Sequence, residues 1–149
     1  MIKIMFVCHG NICRSTMAEF VLKDMVKKLG ISEDFYIASS ATSREEIGNP
    51  VHPGTRKILK EHGISCDGKV AVQLTKKDYE FYDYIIPMDT MNVRNINRIV
   101  GSDSMGNVKK LLDFATGGDI ADPWYTGNFD DTYRDVMAGC EGLLDHLEK

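Results

Sequence analysis

A cysteine, an arginine and a serine stand close together in the stretch VCHGNICRST, residues 7–16: Cys8, Arg14 and Ser15, with Gly10 and Asn11 among the residues between. A thiol, a planar cation and a hydroxyl at this spacing suit attack of a thiolate on a phosphoryl group. A phosphate can be held by backbone N–H groups that curl toward the positive end of a helix. Gly10 lets the backbone turn and approach closely. Asn11 can adopt the left-handed conformation that most residues resist, and its amide can tie the loop together. Arg14 offers a fork matching two phosphoryl oxygens, which a lysine would not replace well. Cys8, aimed into the same cup, is expected as the thiolate, the nucleophilic form. Ser15 is placed to donate a hydrogen bond to that sulfur. By itself the Cys-x5-Arg spacing is weak, and each residue has a plain alternative: a buried core thiol for Cys8, a surface ion pair for Arg14. A zinc site from Cys8, His9 and Cys13 lacks a second ligand pair at finger-like spacing.

The elements that must position these residues give the spacing its weight. Residues 2–7, IKIMFV, read as a short buried strand that ends at Cys8. From Ser15 the pattern turns helical, with Met17, Phe20, Val21, Met25 and Leu29 on one face, Glu19, Lys23 and Lys27 on a solvated one, and Gly30 as the stop. FYIAS (35–39) reads as a second strand, and Pro53 opens a helix that Gly63 closes, Ile58 and Leu59 facing inward. Thr75 and Asp78 resemble a capping box. YDYIIPM supplies a third strand, and Asp89 is a plausible N-cap for a helix using Val93, Ile96 and Val100 that ends at Gly101. VKKLLDF (108–114) reads as a fourth strand, and a stripe from Tyr133 through Cys140 to Leu147 marks the last helix. Strands alternating with helices predict one α/β domain over 1–149: three layers, a central four-stranded parallel sheet with helices on both faces, and the phosphate-binding loop after the first strand. Ligands of such sheets bind beyond the carboxyl ends of the strands, where Cys8 lies.

Composition narrows the partners. The chain has 149 residues, 43% hydrophobic and 27% charged, in the range of globular domains. A net charge of −4 gives no general pull toward nucleic acid or an anionic membrane, so any bound anion needs a local site. MIKIMFVC is too short an apolar run for a signal peptide, and no run nears the roughly 20 residues of a bilayer span. A soluble cytoplasmic monomer is expected, with Cys8, Cys13, Cys66 and Cys140 as thiols and the last two as inert packing.

VCHGNICRS followed by MAE, with DPW at 122–124, closely resembles the low-molecular-weight protein tyrosine phosphatase family, and SSATS, GNPVHP, HGI and YDYIIPMD extend the resemblance over the chain. The resemblance implies a four-stranded parallel sheet, no metal or organic cofactor, and a phosphotyrosine-containing protein or peptide as substrate. It implies that Cys8 attacks phosphorus, Arg14 binds the phosphoryl group, and Asp122 protonates the leaving phenolate and then activates water. It also implies that Cys13 can capture oxidised Cys8 as a disulfide, the plain alternative being a small core residue under the loop. Considered chemically, Asp122 lies in a polar loop after the expected fourth strand, with Trp124 and Tyr125 as aromatic walls for a phenyl ring. His9, Gly10, Asn11, Ile12, Cys13 and Ser15 form or support the phosphate loop.

Several positions depart from the family pattern: Thr16 where proline is frequent, Trp124 where tyrosine is, Glu45 near a usual tryptophan, and Lys69 near a usual histidine. The rim formed by Glu45, Trp124 and Tyr125 is thereby set apart, and Glu45 with Glu46 would disfavour acidic phosphopeptides unless they form only a solvated loop. Related enzymes offer alternatives. Arsenate reductases of this fold need a further cysteine pair, whereas Cys66 stands alone in the middle of the chain. Protein arginine phosphatases commonly carry threonine where this chain has Ile12, which cannot donate a hydrogen bond and suits an aromatic ester. A non-catalytic phosphopeptide-binding module has no use for a reactive thiolate and a separate acid.

Overall fold

The computed structural model describes residues 1–148; residue 149, the last of the expected 1–149 domain, lies outside them. β1 (Ile2–Cys8) is the central strand, paired in parallel with β2 (Phe35–Ala41) on one side and β3 (Tyr84–Pro87) on the other. Its side chains alternate between two cores, as a two-residue period requires. Ile4, Phe6 and Cys8 enter the larger core, Met5 and Val7 the smaller. Because both faces are covered, the strand reads as a continuous apolar run and not as an alternating one.

Among the described residues there are six helices, α1 (Arg14–Lys28), α2 (Pro53–Glu61), α3 (Lys76–Phe81), α4 (Thr90–Val100), α5 (Pro123–Thr126) and α6 (Phe129–Leu147); five follow the expected order, and α5 is a single turn in the stretch expected as a polar loop, opened by Pro123 after the Asp122 cap. α1, α2 and α6 close the larger core through Met17, Leu22, Leu59, Val136 and Cys140. α3 and α4 close the smaller through Tyr79, Ile96 and Val100. The terminal signals act as expected: Thr75 and Asp78 form a capping box, Asp89 accepts from the Asn92 N–H, and Pro53 opens α2. Among the described residues no helix is long and apolar enough to cross a membrane.

The sheet has three strands, not four. Of residues 108–114 only Val108 touches it, in a single parallel bridge to Ile85, and Leu111–Phe114 form a 3-10 turn. Leu111 and Leu112 are adjacent and both belong to the larger core. A strand would send them to opposite faces, whereas a tight turn directs both toward α6. Asp113 secures that turn by accepting from the Lys110 N–H at 3.1 Å.

The buried face of α1 is also rotated from expectation. Ala18, Leu22 and Val26 join Met17 and Val21 inside, Phe20 and Met25 are partly buried, and Leu29 is 58% exposed at the C-cap, where Gly30 turns the chain. Glu19, expected on the solvated face, is 4% exposed, because Ser39 and two lysines satisfy its carboxylate.

α6 lies so close to the 3-10 turn that glycine is required: a Cβ on Gly142 would stand 1.9 Å from the Phe114 carbonyl oxygen. Backbone cannot give way as a flexible side chain can, so Gly142→Ala is expected to destabilise the protein by about 3 kcal/mol. Urea unfolding followed by circular dichroism measures this, and a loss below about 0.5 kcal/mol would contradict the packing.

Candidate active site

The loop between β1 and α1 wraps around the sulfur of Cys8. The Asn11 N–H donates to Sγ at 3.3 Å, and the Ser15 hydroxyl stands 3.0 Å from it. Asn11 holds the expected left-handed backbone at φ 58°, alone among the non-glycine residues described. The strain is held by three hydrogen bonds: its Nδ2 donates to Ser15 Oγ at 2.8 Å and to Ser39 Oγ at 2.9 Å, and its Oδ1 accepts from the Val72 N–H at 3.2 Å. Thus β2 and the segment before α3 dictate the shape of a loop they do not belong to. α1 begins at Arg14, so its N-terminal N–H groups face the same cup.

Arg14 is 2% exposed and held from three sides. Its Nη1 donates to Asp89 Oδ2 at 2.6 Å and to the Ile120 carbonyl at 2.9 Å, and its Nη2 lies 3.4 Å from Asp122 Oδ2. Burial opposes its charge, but the Cys8 sulfur and the two carboxylates more than offset this and strengthen the guanidinium's hold on its proton. Asp122 is the N-cap of α5: its Oδ1 accepts from the Trp124 N–H at 3.0 Å, leaving Oδ2 toward Arg14 and the cleft.

These groups share one cleft. The buried Cys8, Cys13 and Arg14 line its inner part, Ile12 contributes an apolar wall, and the more exposed His9, Gly10, Asp122, Trp124 and Tyr125 complete the lining. Glu45 and Glu46 stand at the lip, and Trp124 and Tyr125 are 59% and 84% exposed. Asn11 and Ser15 are buried behind the loop at 1% and 0% exposure. Every residue expected at the site is therefore in the cleft or directly behind it. Among the described residues no group of three or more His, Cys, Asp or Glu side chains is placed to hold a metal ion.

Other residues here escaped the sequence reading. Asp89 was read only as a helix cap, yet it also anchors Arg14; its place just past β3, at the carboxyl edge of the sheet, was the available signal. Glu19 and Ser39 extend the support: Ser39 Oγ donates to Glu19 Oε1 at 2.5 Å while receiving from Asn11. Lys69 donates to the Ser39 carbonyl at 2.9 Å and stands 3.7 Å from Glu19, and burial makes its ammonium easier to deprotonate than usual. A hydrogen-bonded chain thus runs from Cys8 through Ser15, Asn11 and Ser39 to a buried ion pair. Cys13 is 3% exposed, and burial, with the Cys8 and Asp122 charges behind it, pushes its thiol up to about 12. Cys66 and Cys140 are buried away from the cleft and belong to the larger core.

Comparison with known proteins agrees with this geometry. Residues 3–149 match the family model described as low molecular weight phosphotyrosine protein phosphatase. The low molecular weight protein-tyrosine-phosphatase YfkJ of Bacillus subtilis is 41% identical, the alignment covering 100% of this chain and 97% of that protein. The crystal structure of YfkJ superposes with a TM-score of 0.94 at 40% identity, covering 99% of this chain and 95% of that one. A low molecular weight protein tyrosine phosphatase from Streptococcus pyogenes gives 0.89 at 44% identity, covering 99% and 93%. An arginine phosphatase of Drosophila shares the fold as well, with a TM-score of 0.91 at 26% identity and 99% of both chains covered.

Proposed function

This chain belongs to the low molecular weight phosphotyrosine protein phosphatase family, and we propose that it hydrolyses phosphotyrosine in proteins or peptides through a cysteinyl-phosphate intermediate. The observation that carries the reading is the sulfur of Cys8 at the inner end of a cleft that it shares with Arg14 and Asp122, these two 3.4 Å apart. The phosphoryl group sits between the loop N–H groups and the Arg14 fork, which disperse its charge as the bond to the phenolic oxygen breaks. Cys8 Sγ forms the new bond to phosphorus as the bond to the phenolic oxygen breaks, and Asp122, reacting in its carboxylic acid form, gives its proton to the departing phenolate. Asp122, now a carboxylate, takes a proton from water, whose oxygen displaces the sulfur, and the Ser15 hydroxyl supports the sulfur as its charge returns. Ile12 walls the cleft without offering a hydrogen bond, which favours an aromatic ester over phosphoarginine.

Phosphate release from a phosphotyrosine peptide and a phosphoarginine peptide, measured in parallel with EDTA present, tests this. The expected result is EDTA-resistant release favouring phosphotyrosine. Preference for phosphoarginine would keep the chemistry and overturn the substrate. We place the reaction in the cytoplasm, in line with four free cysteines, and on the monomer.

Cys13 extends the proposal to oxidation. Peroxide converts the Cys8 thiolate to a sulfenic acid; attack by Cys13 sulfur then forms the disulfide and expels hydroxide as water. Only the thiolate of Cys13 attacks, and burial keeps it protonated up to about 12. The disulfide is therefore expected to form about tenfold faster per pH unit between pH 6 and 9. Peptide mapping after peroxide treatment reads it, and sulfinic acid at Cys8 with no linked peptide would overturn it.

A further inference from the structure

The lip of the cleft has a charge opposite to the one a phosphate site calls for. Among the lining residues Arg14 is the only arginine or lysine, and it is buried at the inner end, held by Asp89, the Ile120 carbonyl and Asp122, where it serves the phosphoryl group and not the lip. The lip instead carries two carboxylates, both fastened there. Glu45 Oε2 stands 3.0 Å from His9 Nε2, and its side chain is 69% exposed. Glu46 Oε2 accepts from Asn49 Nδ2 at 2.6 Å, and its Cγ lies where a Cβ on Gly10 would come within 3.3 Å. Arg44, the residue before Glu45, donates to Gln73 at 3.0 Å. The exposed rings of Trp124 and Tyr125 line the same cleft.

We infer that Glu45 and Glu46, together with the Trp124 and Tyr125 rings, select phosphotyrosine sites flanked by arginine or lysine. A dianionic phosphate approaching an acidic lip is repelled, and an acidic flanking residue adds to the repulsion. A cationic one reverses it: its head group can pair with either carboxylate, and the exposed aromatic rings of the same cleft can hold it within about 6 Å by cation–π attraction. None of these four groups is assigned contact with the reacting phosphorus, so the preference is expressed in binding the peptide and not in the chemical step. The 3.0 Å contact between His9 Nε2 and Glu45 Oε2 ties Glu45 to the phosphate loop.

The inference rests on the phosphotyrosine assignment, and the experiment separates the two. Two phosphotyrosine peptides of equal length, one with arginine on both sides of the phosphorylated residue and one with aspartate, are compared at pH 7.5, alongside a phosphoarginine peptide. The arginine-flanked peptide is expected to have about fivefold to tenfold higher kcat/KM, carried by KM, since each exposed charge pair contributes modestly. Glu45→Gln with Glu46→Gln should bring the ratio below about twofold, and 0.5 M salt should shrink it in the unaltered protein. Equal kcat/KM for the two peptides, or a ratio that survives the double substitution, overturns the acidic-lip selection while leaving the phosphatase intact. Release from the phosphoarginine peptide alone overturns the phosphotyrosine assignment, and the inference with it.

Discussion

Cys8→Ser is expected to lower phosphate release by about 10⁴-fold or more while leaving the binding of inorganic phosphate or vanadate nearly intact. The two effects separate because the residue's neighbours bind the anion without it. The Arg14 fork and the N–H groups at the start of α1 remain in place, and a serine oxygen can accept the bonds that Asn11 N–H and Ser15 now direct at Sγ. Serine differs in holding its proton far more tightly than a thiol, and no base touches it in this loop, so the attacking atom is no longer an anion. Isothermal titration with vanadate alongside turnover of a phosphotyrosine peptide gives both numbers from one preparation. Turnover within tenfold of the original protein would remove Cys8 from the nucleophile's role.

The second large effect is expected at Asp122, and two substitutions separate its tasks. Asp122→Asn keeps an oxygen to accept from the Trp124 N–H, so α5 stays capped, but it cannot give a proton to the leaving group. Asp122→Ala removes both functions. Both should reduce kcat on phenyl phosphate by about 10²–10⁴, the range for a lost general acid. On an ester of an acidic phenol, which leaves without help, Asp122→Asn should lose much less. Anion affinity should hold or tighten in each, since the carboxylate 3.4 Å from Arg14 is gone. An equal loss on good and poor leaving groups would assign Asp122 to positioning alone.

What could be read in advance divides by how local it is. The phosphate loop is contiguous, so Cys8, Asn11, Arg14 and Ser15 could be assigned together from a strand end, a turn and a helix start. The capping residues Thr75 and Asp89 were legible for the same reason, since each acts on the N–H three residues away. Asp122 is remote in sequence and was placed by family resemblance. The supports of Arg14 and Asn11 were not legible, because Asp89, Ile120, Ser39 and Val72 arrive through separate crossovers of the chain. Glu19 misled by type: a carboxylate four residues before a lysine on a helix reads as a surface pair until β2 packs across it. VKKLLDF misled by period, since a short apolar run suits a strand or a tight turn equally and only α6 decides between them.

The chain of hydrogen bonds from Ser15 through Asn11 to Ser39 bears on how far this site could be transplanted. A synthetic peptide copying residues 8–15 would contain the nucleophile and the arginine, yet Asn11 would relax out of its left-handed conformation without the acceptor on Ser39 and the donor at Val72. Grafting onto another strand–helix junction would therefore require β2, the Val72 segment and the carboxylate of Glu19 to travel with the loop. The smallest portable unit of this active site is most of the sheet.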